Sequence, residues 1–388
     1  MPENSTSQSS WLPSADELLA QYPLNDYLRE NVRKGLVPLL KAYNEDKGLN
    51  DNGRARNLGN IHDDLRRLKA IADDRERYPE IKDVVIKQPM FILGLPRCGT
   101  SLLHALIDGD PAVRTPLMWE VANPSPPPDA ATIDTDPRIH EFDAYIEREF
   151  GGKIDELLKA HPIGAKIPQE CGSFMTTSFH SSNPVMMSNI PGFYQWFLGA
   201  DLSFRYEVHK MWLQHLSWKT PGKQWVLKIQ EHMYALPELL KVYPDAIFVQ
   251  PHRDPVTVIA SISQLIWVIR NQAYDQQDKH ALGREFLHLW HDGIVRSMEY
   301  RAKHPELPFF DMRYKDLVAD PVKAVGSIYE HFGMDYTQAA QDGVRNWLAE
   351  NPAGKHGKHN YSLADFGLTE DDIRKVYADY IETYRAYI

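Results

Sequence analysis

The sequence predicts an α/β fold: a parallel sheet flanked by helices, with a helical extension at the N-terminus. Three observations carry this. Short apolar runs recur at 91-FIL-93, 224-QWVLKI-229 and 246-AIFVQPH-252. Segments of helical periodicity alternate with them, as the crossovers between parallel strands require. The first run passes through a glycine-containing loop directly into a helical pattern, in 91-FILGLPRCGTSLLHAL-106.

Taken in order, residues 1 to about 12 read as a disordered tail, polar and rich in small residues. Residues 13–83 read as helices. In 26-DYLRENVRKGLVPLLKAYNED-46 and 60-NIHDDLRRLKAIADDRERY-78, apolar positions recur every three or four residues among charges. Pro38 is expected to interrupt or kink the first of these. Residues 84–388 form the α/β domain, beginning with the strand, loop and helix around Phe91. An inserted region, about 122–220, is irregular and includes the proline-rich 123-NPSPPP-128, a Met- and aromatic-rich stretch and a helix near 203–218. The alternation then resumes with QWVLKI, 235-ALPELLKVY-243, AIFVQPH, a helix after Asp254-Pro255, the strand 308-PFFDMRY-314 and a helix around 321–333. Two C-terminal helices are expected near 337–349 and 369–387. No internal repeat is visible.

Composition sets the bounds. The chain has 388 residues, 43% hydrophobic and 25% charged, as soluble globular proteins do. A net charge of −10 argues against a general nucleic-acid binder and leaves room for a local basic pocket. No run of about 18 apolar residues could span a bilayer. The N-terminus has neither the basic nor the apolar region of a secretory signal. The two cysteines, Cys98 and Cys171, are therefore expected as free thiols in a reducing cytoplasm. No Cys/His group has zinc-ligand spacing, so no metal is expected.

Gly94 and Gly99 are spaced like the glycines of a P-loop, but Thr100 stands where the lysine belongs. Backbone N–H groups from Arg97 through Cys98, Gly99 and Thr100 to Ser101 can face an anion at a helix N-terminus. The Arg97 guanidinium and the Thr100 and Ser101 hydroxyls add donors. Without the lysine or an evident Mg²⁺-binding acid, the loop suits one phosphate rather than a triphosphate. The bland alternative is a strand-to-helix turn that binds nothing. A second signal lies in 247-IFVQPHRDPVTVIASI-262. Asp254 caps a helix with Pro255 in its first turn. Ser261 lies about two turns on, on the same face, so Arg253 and Ser261 could share an anion. By itself that pattern is more often a surface cap.

Together these motifs resemble the sulfotransferases that use 3′-phosphoadenosine-5′-phosphosulfate (PAPS), and most closely the bacterial branch with long helical N-termini. The resemblance implies that 96-PRCGTS-101 binds the 5′-phosphosulfate and that Arg253 and Ser261 bind the 3′-phosphate. It places Tyr314, of 314-YKDL-317, near the nucleotide. It also implies that Lys355, His356, Gly357 and Lys358, in 355-KHGKHNYS-362, close over the 3′-phosphate. The fold implied is the P-loop-like sulfotransferase sheet. The four motifs come in family order from Phe91 to Ser362. Three departures stand out: Cys98 replaces a serine, Leu102 stands where cytosolic eukaryotic relatives carry an adenine-stacking tryptophan, and the family's Leu-Lys-Thr-Pro-x-His reads 227-LKIQEH-232.

Sulfuryl transfer needs an acceptor hydroxyl or amine, a base for its proton, and positive charge on the sulfonate and leaving phosphate. Arg97 and Lys228 are the expected cations. His232 is the first choice of base: it sits just past the strand carrying Lys228, and a neutral imidazole suits near-neutral pH. Glu120 is the second, because tyrosylprotein relatives carry a catalytic glutamate at about that place. Glu170 and His180 are more remote. The acceptor is a small molecule, lipid or carbohydrate. The aromatic and Met-rich residues between 169 and 200 either line its pocket or form core. The N-terminal helices either cover that pocket or pair two copies of the chain in a homodimer. Two other readings remain open at this level: a P-loop small-molecule kinase, and a non-catalytic nucleotide-binding protein on the same fold.

Overall fold

A computed structural model describes residues 10–150, 163–352 and 362–388. Three helices come first: α1 (Ala15–Gln21), α2 (Asp26–Glu45) and α3 (Asp51–Arg77). Asn25 and Asn50 cap the last two through side-chain bonds to Leu28 N and Gly53 N. Strand β1 (Met90–Ile92) leads through the loop into α4 (Thr100–Asp108), and β2 (Val113–Arg114) follows. The inserted region ends with α5 (Ser203–Ser217), and then come β3 (Gln224–Lys228), β4 (Ile247–His252), α6 (Pro255–Arg270), α7 (Lys279–Lys303) and β5 (Phe309–Arg313).

The strands form one parallel sheet in the order β2-β3-β1-β4-β5. All carboxyl ends therefore lie on one edge, and the order reverses at β1, where ligands of such sheets bind. The strands alternate between two buried faces, as parallel strands covered on both sides must. Phe91, Leu227 and Phe248 point into a core shared with α1 to α3, α5, α6 and α7. Met90, Ile92, Val226, Ile247 and Val249 point into a second core with Leu103, Leu106 and Ile107 of α4 and the helices at 321–331 and 338–350. The N-terminal extension thus shares the larger core of the α/β sheet.

Several expectations need correction. Leu12 is already buried and Trp11 packs on the same core. Helix α2 runs through Pro38 without interruption. The carbonyl that Pro38 leaves without a donor belongs to solvent-exposed Lys34, so water can satisfy it. The inserted region is helical, with segments at Pro137–Phe150, Gly172–Met175, Asn183–Met187 and Pro191–Gly199 before α5. The helix expected over 369–387 is two short ones, Glu370–Val376 and Ala378–Thr383. Helix α7 was not among the expected elements, although Leu282, Phe286, Leu289 and Ile294 form its buried face. Gly283 and Gly293 are there for close approach: a Cβ would stand 2.4 Å from Phe366 O and 2.8 Å from the Tyr234 ring.

The same logic fixes α2 against the inserted region. A Cβ on Gly35 would meet the Phe179 carbonyl oxygen at 2.1 Å, and Phe179 itself holds a left-handed φ of 60°. Gly35→Ala should lower the unfolding free energy by about 1–3 kcal/mol, the usual cost of overpacking against backbone. Urea denaturation reads this directly; an unchanged midpoint would show that the two segments separate without cost.

Candidate active site at the carboxyl edge of the sheet

The loop after β1 is built from left-handed backbone. Gly94, Arg97 and Gly99 have φ of 117°, 61° and 85°. At Gly99 only glycine fits, because a Cβ would come within 2.9 Å of the Tyr314 ring. Gly99 is also the N-cap of α4 and makes no side-chain cap bond, so the first-turn N–H groups remain available to an anion. Arg97 is not glycine, and left-handed backbone there costs about 1–3 kcal/mol unless its surroundings hold it. They do. Its Nε donates to Ser261 Oγ at 3.1 Å, and its carbonyl accepts from Arg253 Nη1 at 2.9 Å. The Arg253 guanidinium lies 4.3 Å from the centre of the Tyr314 ring. Asp254 caps α6 through Val256 N and so fixes where that helix starts. Arg97, Arg253, Ser261 and Tyr314, drawn from three separate motifs, thus meet in one place. Cys98 turns inward: burial pushes its thiol up to about 12, and its Sγ points to the Pro96 carbonyl at 3.6 Å.

Lys228 ends β3 on the same edge. Its Nζ donates to Ser101 Oγ at 2.9 Å and pairs with the Glu170 carboxylate. The Lys228 side chain is 2% exposed and that of Glu170 24%, so the carboxylate is the partner open to a substrate. The Cys171 N–H donates to the Lys228 carbonyl at 3.0 Å, pinning the Glu170 segment to the strand end. Gln230 Nε2 donates to Thr100 Oγ1 at 3.1 Å. Glu170 ranked behind two other bases in the sequence, and Gln230 was noted only as a departure from the family pattern. Both are brought in by contacts across the chain that leave no local pattern.

The structure does not bring either leading base to this edge. The polypeptide turns after Ile229 into a 3₁₀ helix, Gln230–Tyr234, which carries His232 below the strand end into the core. There it is fully buried, edge-on to Phe91 with ring centres 4.9 Å apart, and its Nδ1 lies 3.0 Å from the Tyr206 hydroxyl. Burial holds its pKa well below the usual value. Glu120 is also fully buried. Its carboxylate takes the Arg114 guanidinium at 2.5 Å and the Leu117 N–H at 3.1 Å. Arg114 stands opposite Trp225 in the sheet, three residues before Lys228. Burial raises the Glu120 pKa and Arg114 opposes that rise. Glu120 is thus the counter-ion of a buried arginine. His180 is buried near Trp196 and Phe204, its Nδ1–H donating to Ser178 O at 2.8 Å. Phe174, Met175, Phe179, Phe193 and Phe197 are core residues. Lys355, His356, Gly357 and Lys358 lie outside the described residues.

Residues 89–338 match the Sulfotransferase family. The chain belongs to the sulfotransferase family and is a sulfotransferase. It is 23% identical, over 74% of each chain, to the omega-hydroxy-beta-dihydromenaquinone-9 sulfotransferases Stf3 of Mycobacterium bovis and Mycobacterium tuberculosis. Its fold is similar to that of sulfotransferase STF1 from Mycobacterium tuberculosis, with a TM-score of 0.83 and 30% identity over 96% of this chain and all of that one. STF9 from Mycobacterium avium aligns with a TM-score of 0.86 and 26% identity, over 97% and 98% of the two chains. Nothing in these likenesses supports the kinase or non-catalytic readings. No described helix is long and apolar enough to cross a membrane.

The buried Arg114–Glu120 pair yields a test of its structural role. Glu120→Ala leaves a buried guanidinium without its counter-charge and should cost about 3–5 kcal/mol of stability. Chemical denaturation checks this; a loss of turnover with stability intact would return Glu120 to the reacting centre.

Proposed function

We propose that the sulfuryl donor is PAPS, that the acceptor is a hydroxyl of a small or lipid-like molecule, and that Glu170 is the base. The observation that carries the reading is the contact of Lys228 with both Glu170 and Ser101 beside the Arg97 loop. It sets a carboxylate, an ammonium and an anion-binding helix start side by side.

The residues present suit the donor. The loop N–H groups, Ser101 and Arg97 match a 5′-phosphosulfate. Arg253 and the buried Ser261 hydroxyl match a second, separate phosphate, which is what distinguishes this donor from simpler ones. Glu170 takes the proton as the acceptor oxygen bonds to sulfur and the sulfur–oxygen bond to the phosphate breaks. The products are a sulfate ester and adenosine 3′,5′-bisphosphate. Lys228 and Arg97 stabilise the negative charge that moves onto the phosphate oxygens, from positions already fixed before the reaction. The hydroxyl acceptor is supported by the related Stf3 enzymes, whose name specifies an omega-hydroxy quinone.

Glu170→Gln keeps the shape and removes the base. It should lower kcat about 10²–10⁴-fold while adenosine 3′,5′-bisphosphate still binds. Turnover with labelled donor and a panel of alcohols, beside calorimetry with the bisphosphate, separates the two effects. A glutamine variant with undiminished kcat would move the base elsewhere. No transfer to any alcohol by the wild type would refute the acceptor class.

A further inference from the structure

Directly beneath the Glu170–Lys228 pair lies a group of side chains that sulfuryl transfer does not use. Cys171, His209 and His232 come from the inserted region, α5 and the turn after β3. The thiol sulfur and one ring nitrogen of each histidine lie within 4.8 Å of one another, and all three residues are fully buried. His209 Nδ1 faces the Tyr243 hydroxyl at 2.7 Å and His232 Nδ1 faces the Tyr206 hydroxyl at 3.0 Å. In both rings Nε2 is the nitrogen without a hydrogen-bond partner. A buried polar atom left unmatched costs about 1–3 kcal/mol, and here two stand beside one thiol. That thiol has one proton and could satisfy at most one of them as a donor.

We propose that Cys171 Sγ, His209 Nε2 and His232 Nε2 form a buried three-coordinate site for a soft, closed-shell cation, Cu⁺ in preference to Zn²⁺. Thiolate and imidazole are the ligand types such ions take. The tyrosine hydroxyls on the two Nδ1 atoms are the outer contacts that hold ligating rings in place. Neutral imidazole and thiolate are the ligand forms that such a site requires. The choice of ion follows from charge. No carboxylate belongs to the group, so the thiolate supplies its only negative charge. A monovalent ion leaves the assembly neutral among Phe91, Phe174 and the tyrosines, whereas a divalent ion leaves a net positive charge in apolar surroundings. Binding displaces the Cys171 proton to solvent; no electron is transferred. Because Cys171 adjoins Glu170 and His232 follows Lys228, the ion would tie together the two segments that carry the reacting centre.

The test uses the full chain, purified anaerobically without a histidine tag. Cu⁺ is titrated against a chromophoric Cu⁺ chelator, and Zn²⁺ against a chromophoric zinc chelator. The wild type should hold one equivalent of Cu⁺, with sulfur-to-metal absorption in the near ultraviolet and a raised melting temperature. Cys171→Ala and His209→Gln should each weaken retention at least ten-fold and abolish the melting shift. Cys98→Ser should bind as the wild type does, which excludes thiol binding by unfolded chains. If Zn²⁺ is held and Cu⁺ is not, the charge argument is overturned. If neither is held, or Cys171→Ala binds like the wild type, the site itself is overturned.

Discussion

The hydrogen bond from Arg253 to the Arg97 carbonyl joins two strand ends that are more than 150 residues apart in sequence. Much of the site depends on it. It holds a non-glycine residue in left-handed backbone, and that conformation starts the turn that ends at Gly99 and opens the N-terminus of α4. Tyr314 supports the arrangement twice, under the Arg253 guanidinium and against Gly99. A substitution at any of these positions should therefore be felt at the others, as residues sharing one network generally are.

Charge is handled differently at the edge and below it. The chain carries a net charge of −10, yet Arg97, Arg253 and Lys228 converge on one edge of the sheet. There they can be neutralised in turn by a carboxylate or by an incoming anion. Deeper in the fold, Arg114 and Arg205 are permanently matched to Glu120 and Glu231. The distinction separates acids that can exchange partners from acids that cannot. Glu170 is partly exposed and so open to a substrate, whereas Glu120 is buried.

Most of the candidate anion site was legible in the sequence because it rests on local rules. Glycines mark left-handed backbone, a Pro after an Asp marks a helix start, and helical periodicity brings Ser261 back towards Arg253. The proposed base, Glu170, was not legible for the opposite reason. Glu170 reaches the edge through a bond from Cys171 to the Lys228 carbonyl, a contact between distant segments. His232 lies four residues past Lys228, close to the edge in sequence, but the turn at Gln230 carries it into the core. Helix α7 was not read from the sequence although Leu282, Phe286, Leu289 and Ile294 line its buried face; its glycines allow Phe366 and Tyr234 to approach. The Cys171, His209 and His232 group has no sequence signature at all, since three separate elements supply it.

The central claim is that one edge of the sheet holds both ends of a single donor. A crystal structure with adenosine 3′,5′-bisphosphate tests it most directly. The account predicts the 3′-phosphate within hydrogen-bond distance of Arg253 and Ser261 and the 5′-phosphate on the N–H groups between Arg97 and Ser101, with Lys228 beside it. A bisphosphate bound in the opposite sense, or away from this edge, would contradict it.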